Sequence, residues 1–427
     1  MTLQMILALG VLVLMIVLIM TDALPFGAPP LLASLLIVVL KLYPADADPI
    51  AYAMAGFVNS NVWMIAFFMV VVAAFQKTKL TAKIKDVMLH LVDKGGFKSY
   101  VLMVLVVMLG CSLTGGGNTG YYVLILSLIA TIPYNKKLPT SKLIMPLGKA
   151  AVTPLIPINV AIYYGVTASM LSAAGINTEG MSTVPFMVLS GIMAAFAFVW
   201  SVLGYRVLPD HPIAELEDVS NAEVNTEGLP AWKETLTIIS LVVSVIGMMF
   251  INNFGPIAYV LPGICSFVLL GINVINWKEF RESLFSPIIL MMACVIPVAN
   301  ALSDSGFTAM IGNAVAGVAG GMPLFVLILV FAFLTSACAT LTGANFGSAF
   351  VFVPIVIATC QSLGIDPAGA AAATTMAAWA GGFLPIDGLP AMIMGMGNYT
   401  MKEFWKYMIP GYIIGIFAIA IGAIVAF

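Results

Sequence analysis

Long apolar runs separated by short polar or basic stretches set the pattern of this chain. A run of about 20 residues makes a helix that crosses a hydrocarbon core of roughly 30 Å. Runs of that kind cover Leu3–Met20, Leu24–Leu42, Val58–Gln76, Val184–Tyr205, Leu236–Asn252, Ile257–Ile275, Leu284–Leu302 and Met408–Phe427. Leu143–Ala174 and Ala368–Asn398 are longer and carry Pro-, Gly- and Asn-containing breaks in their middles. Two further apolar stretches, Ser99–Asn135 and Met322–Ile365, do not fit as single spans. The first of these has 37 residues, which as one helix would reach about 55 Å. That is too long for one pass, and two full passes need more residues. With basic residues at both its ends, the stretch 99–135 is predicted to be a re-entrant hairpin; 322–365, which lacks such flanks, is predicted to be a second hairpin entering from the other side.

The breaks repeat. Leu113-Thr114-Gly115 recurs 228 residues later as Leu341-Thr342-Gly343. Ile129-Ala130-Thr131 recurs as Ile357-Ala358-Thr359, Pro139 as Pro367, and Pro157-Ile158-Asn159 as Pro385-Ile386-Asp387, at the same offset. Broken helices at matching places in two halves point to a transporter's binding site. The expected organisation is a first repeat over residues 1–208, a polar linker over 209–233 rich in Asp and Glu, and a second repeat over 234–427. Each repeat then holds five spans, the last but one of them broken, and a hairpin.

Charge gives the orientation. Basic residues gather at Lys77–Lys98, at Lys136, Lys137 and Lys142, at Arg206 and Lys233, at Lys278 and Arg281, and at Lys402 and Lys406. The positive-inside rule places all five loops, and 15 of the 17 basic residues, on the cytoplasmic side. Both termini then lie outside, the first hairpin opens inward, the second opens outward, and the repeats are inverted. The first run has no Lys or Arg before it and no small-residue cleavage site after it, so it is expected to be retained.

Composition agrees with a lipid solvent. The chain is 62% hydrophobic and 8% charged, against about 25% charged residues in a soluble domain. An all-α polytopic membrane protein follows, with the lipid bilayer as its surroundings and no feature that invites nucleic acid. The five cysteines lie in apolar segments and read as small buried hydrophobes. His90 and His211 are far apart and suggest no metal site. Trp63, Trp200, Trp232, Trp277 and Trp405 read as interfacial anchors or packing.

The stretch Gly56–Ile65, the following Lys77-Thr78-Lys79-Leu80 and the stretch Gly397–Phe404 resemble elements of the divalent anion/sodium symporters of the ion transporter superfamily. The resemblance implies an elevator-type carrier, usually a homodimer, that moves carboxylates driven by Na⁺. Those symporters place a Ser-Asn-Thr triplet at each hairpin tip. Here the first tip reads Gly117-Asn118-Thr119 and the second Gly343-Ala344-Asn345, so the triplets are only partly kept. Large permease subunits of binding-protein-dependent (tripartite) carriers are of similar length, which would add an accessory binding protein or small membrane subunit as partner.

The chemistry of the breaks stands without the resemblance. A half-helix offers free N–H groups and its positive dipole end to an anion. The opposite half-helix end offers carbonyls that suit Na⁺. Thr114, Gly116, Gly117, Asn118, Thr119, Thr342, Gly343, Ala344, Asn345 and Pro390 are the candidate substrate-binding residues. Asn118, Asn159, Asn345, Asp387 and Gly388 are the candidate coupling-ion residues, with Na⁺ as the possible metal ion and no other cofactor. The structural alternative is that small residues only permit close helix packing. Asp387 stands where the first repeat has Asn159; it can ligate Na⁺, carry a proton or pair with a cation, or else cap a half-helix. Lys149, ten residues before Asn159, is a possible charge partner that replaces a sodium charge or holds a carboxylate; otherwise it snorkels to the cytoplasmic interface.

The functional expectation is secondary transport of a small organic anion, a di- or tricarboxylate, coupled to Na⁺ or H⁺ across a bacterial inner (plasma) membrane. The alternatives are a cation/proton antiporter of the same superfamily, with Asp387 as the ion carrier, and the tripartite permease subunit. An intramembrane enzyme would need an HExxH, paired-Asp or Ser/Lys constellation that the chain lacks.

Overall fold

In a lipid solvent every backbone polar group must be satisfied within the chain, which leaves helices as the economical element for apolar runs of this kind. The computed structural model describes residues 2–21, 24, 28–79, 87, 90, 91, 94–114, 121, 122, 125, 126, 129, 138–211, 229–343, 345–385 and 388–427. Among these residues the chain is helical, without strands. The longer helices of the first part are α1 (Leu3–Met20), α2 (Ala28–Val39), α3 (Ser60–Phe75), α4 (Gly96–Thr114), α5 (Ser141–Ala150), α6 (Ala161–Ala173) and α7 (Val184–Leu203). The second part holds α8 (Ala231–Met249), α9 (Pro256–Gly271), α10 (Trp277–Leu284), α11 (Pro287–Asp304), α12 (Phe307–Ala319), α13 (Leu324–Thr342), α14 (Asn345–Leu363), α15 (Ala368–Ala377), α16 (Gly388–Gly397) and α17 (Met401–Ala426).

Helix α8 shows what surrounds the molecule. Its inward face carries Thr237, Ser240 and Ser244, all buried, while Ile238, Ile239, Val242 and Ile246 face outward and are exposed. A helix in water does the reverse. The buried hydroxyls are satisfied by their own helix: Thr237 donates to the Lys233 carbonyl at 2.8 Å and Ser244 to the Ser240 carbonyl at 2.8 Å. Six helices among the described residues are long and apolar enough to cross a membrane, and several shorter apolar helices accompany them. The protein is a multi-pass membrane protein.

The helix starts recur at the sequence offset. α1 and α8 begin at residues 3 and 231, α2 and α9 at 28 and 256, and α4 and α13 span 96–114 and 324–342. The length argument for a hairpin does not carry to the second odd stretch. Its two arms, α13 and α14, are 19 residues each, about 28 Å long, and each alone is long and apolar enough to cross.

Packing arranges the helices in crossed pairs around the breaks. α5 packs against α4 and against α16, while α15 packs against α13, α14 and α6. The front half of one broken helix thus lies beside the back half of the other. One buried cluster, with Tyr100, Met145, Ile393 and Phe404, joins α4, α5, α16 and the start of α17. A larger one joins α13, α14, α15 and α6 to the helices α1, α2, α3, α8, α9 and α11. Polar contacts fasten the helix ends: the Lys77 ammonium lies 2.6 Å from Glu279, Lys142 pairs with Asp210 at 3.7 Å, and Tyr399 donates to the Ser141 carbonyl.

Candidate functional site

The first break covers 151–160, between α5 and α6, and holds Pro154 and Pro157, which cannot donate to a helix ladder. The second follows α15 from Ala378, and its described part ends at Pro385. Each break leaves backbone donors and acceptors that need partners.

A hydroxyl from a neighbouring helix claims one donor in each. In the first, Ser112 Oγ on α4 accepts from the Ile156 N–H at 2.8 Å and donates to the Met108 carbonyl at 2.9 Å. In the second, Thr340 Oγ1 on α13 accepts from the Gly382 N–H at 3.0 Å and donates to the Ser336 carbonyl at 2.8 Å. Ser112 and Thr340 are 228 residues apart, and so are Met108 and Ser336. Leu155 N–H adds a bond to the Met108 carbonyl at 3.1 Å.

The two breaks are joined directly. The Lys149 ammonium, in the last turn of α5, donates to the Gly381 carbonyl at 2.9 Å. Gly382 has φ +104°, and a Cβ there would stand 3.3 Å from Lys149 Nζ and 3.0 Å from the Pro390 ring. Lys149 and Pro390 therefore both flank the glycine pair of the second break. Deeper in, Thr167 on α6 donates to Thr375 on α15 at 2.9 Å, both buried.

Aromatic rings close the side of the second break. Trp379 meets Phe346 edge-on with centroids 4.8 Å apart and Tyr163 edge-on at 5.6 Å. Phe346 follows Asn345, so the start of α14, the second break and α6 share one contact region. From the other side Trp405 donates its indole N–H to the Phe383 carbonyl at 2.9 Å, and Tyr412 packs on Phe383 with centroids 4.9 Å apart.

Of the residues singled out in the sequence, Asn159 accepts from the Ala161 N–H at 3.3 Å and so orients the start of α6. Thr114 ends α4, Thr342 ends α13, Asn345 starts α14 and Gly388 starts α16. Thr342 donates to the Cys338 carbonyl at 2.8 Å, and Gly343, in the left-handed region, closes α13 through its bond to the Ala339 carbonyl at 2.9 Å. Gly116, Gly117, Asn118, Thr119, Ala344 and Asp387 lie outside the described residues. Lys149 does not snorkel toward the Ser141 end of α5, because its ammonium is held across the break. Ser112, Thr340, Gly381 and Trp379 escaped the sequence reading. The signal for the two hydroxyls was present in their shared offset; Trp379 has no counterpart at that offset.

The arrangement offers hydrogen-bonding backbone, neutral oxygens and one ammonium at two helix breaks. The model of the citrate transporter family matches residues 16–320 and 256–427. The chain belongs to the citrate transporter family. It is also 25% identical over 257 residues to an uncharacterized transporter of Escherichia coli, YfbS, covering 59% of this chain and 40% of that protein. An uncharacterized transporter of Synechocystis sp., sll0640, is 26% identical over 212 residues, covering 49% of this chain and 33% of that protein. The matched regions thus span less than half the length of these relatives. The crystal structure of the YdaH transporter of Alcanivorax borkumensis is similar in fold, with TM-score 0.61 and 16% identity over 92% of this chain and 98% of that one. The family and the structural neighbour are transporters, not enzymes, and the resemblance to the ion transporter superfamily holds.

Proposed function

We propose that this member of the citrate transporter family is a secondary active carrier of a small organic anion, a di- or tricarboxylate, coupled to Na⁺ or H⁺. The observation that carries the reading is the pair of matched hydroxyl clamps, Ser112 on Ile156 and Thr340 on Gly382, with Lys149 joining the breaks. Two half-helix breaks held face to face by flanking arms are the form in which membrane carriers bind an anion near the midplane. In this reading 1–208 and 234–427 are inverted repeats joined by the 209–233 linker, and both termini are extracytoplasmic. The arms 99–135 and 322–365 are re-entrant, and the site-bearing helices move as an elevator against α1, α2, α3, α8, α9 and α11, within a homodimer. Thr114–Thr119, Asn159, Thr342–Asn345, Asp387, Gly388 and Pro390 converge on one cavity in this reading.

The test is thermal unfolding of the purified protein with citrate, succinate and monocarboxylates, with and without Na⁺, across pH. Stabilisation by a di- or tricarboxylate is expected. A response to Na⁺, Li⁺ and pH, with none to any carboxylate, would identify a cation/proton antiporter and overturn the reading.

A further inference from the structure

We infer that the Lys149 ammonium is a tethered cation that takes the place of one free coupling cation at the second break, giving the anion cavity a fixed positive charge. The inference rests on the transport reading above and goes beyond it by assigning one charge of the cycle to the protein.

Three observations support it. First, Gly381 lies in the second break, four residues beyond the end of α15, where its carbonyl belongs to no helical ladder. Such carbonyls suit a cation, and the Gly381 oxygen accepts from an ammonium at 2.9 Å. An ammonium offers three donors and no acceptor, so it fills such a place as a metal cation would. Second, the peptide that joins Gly381 to Gly382 is gripped at both ends. Its oxygen faces Lys149 from the first half of the chain, and its N–H is held by Thr340 from α13. The missing side chain at Gly382 leaves the room in which Nζ stands. Third, the position 228 residues after Lys149 is Ala377, so the charge is built into one half only.

The test is citrate and succinate binding to the purified full chain by calorimetry, with NaCl replaced stepwise by choline chloride. The slope of log affinity against log Na⁺ concentration counts the Na⁺ ions taken up with the anion, by linkage. The wild type is expected to show a slope of about one or less, and Lys149→Gln a slope higher by about one, because a free cation then fills the vacated place. Lys149→Arg keeps the charge and is expected to keep the wild-type slope. An unchanged slope in Lys149→Gln, whatever its affinity, overturns the inference. So does a raised slope in Lys149→Arg, or binding to Lys149→Gln that no Na⁺ concentration restores. If Lys149→Gln does not fold, the wild type decides: a slope of about two overturns the inference and one of about one or less supports it. Wild-type protein that binds neither acid at any Na⁺ concentration removes the transport reading, and the inference with it.

Discussion

Ser112 and Thr340 each do two jobs with one hydroxyl, bonding back to their own helix and catching an N–H in the adjacent break. Valine keeps the shape of threonine but cannot accept, so Thr340→Val leaves the Gly382 N–H unpaired. Stranding a fully buried donor costs about 1–3 kcal/mol, and for the part-buried Gly382 N–H the loss is expected toward the lower end. The expected result is a lower unfolding temperature and weaker citrate binding, read by thermal unfolding with and without citrate; Thr340→Ser should retain both, since its hydroxyl remains. Asp387 belongs to the same scale. It adds a carboxylate where the first half has Asn159. Asp387→Asn is expected to abolish or uncouple concentrative uptake in proteoliposomes while leaving folding intact, because the amide keeps size and one accepting oxygen. Asn caps helices about as well as Asp, so coupling retained at the wild-type level would reduce Asp387 to a capping residue.

Helix contacts at short range govern the element scale. α12 packs against α14 through Gly312, where an added Cβ would stand 2.7 Å from the Ala358 backbone. Backbone cannot swing aside, so Gly312→Ala must push the two helices apart. Overpacking of this kind costs about 1–3 kcal/mol. Gly317, on the same helix, has nothing within 4 Å of its would-be Cβ. Gly317→Ala is therefore the control, expected to leave the unfolding temperature unchanged or to raise it slightly through helix propensity. Equal losses in both variants would show that helix entropy, not the close approach, sets the effect. Helix interruption was readable at this scale from the clustered breakers around Pro154, Pro157 and Pro385, not from proline alone, since Pro146, Pro262, Pro297, Pro354 and Pro410 lie inside helices. The crossed pairing of α5 with α16 and of α6 with α15 was not, since hydropathy does not say which apolar helix meets which.

At the scale of the whole molecule the remaining question is orientation. The basic loops predict that a cysteine introduced at Lys136 reacts with a membrane-impermeant maleimide only from the cytoplasmic side. Labelling from outside alone would invert the topology and exchange the roles of the two hairpin arms. The exposed face of α8, with Ile239 and Val242 outward and Ser240 and Ser244 inward, predicts a second result. Ser244→Leu is expected to destabilise, because it overfills a buried position, while Val242→Leu, which faces lipid, is expected to be neutral in the same thermal assay.

The sequence by itself determined that the chain is helical and lives in lipid, where its breaks fall, and which superfamily of transporters it resembles. Those features are local or additive: a 20-residue apolar run, a cluster of helix breakers and a matched offset carry their meaning without neighbours. The tertiary structure alone decided the destination of Lys149. The sequence left snorkelling and charge replacement equally open, because a long flexible side chain reaches either end of its helix. Only the approach of α15's C-terminal end to α5 sets the Gly381 carbonyl 2.9 Å from the ammonium. Trp379 is the same case, an aromatic residue in a break whose partners, Phe346 and Tyr163, lie on two other helices. Contacts between residues far apart in the chain depend on how whole helices cross, and that is fixed by packing rather than by any local pattern.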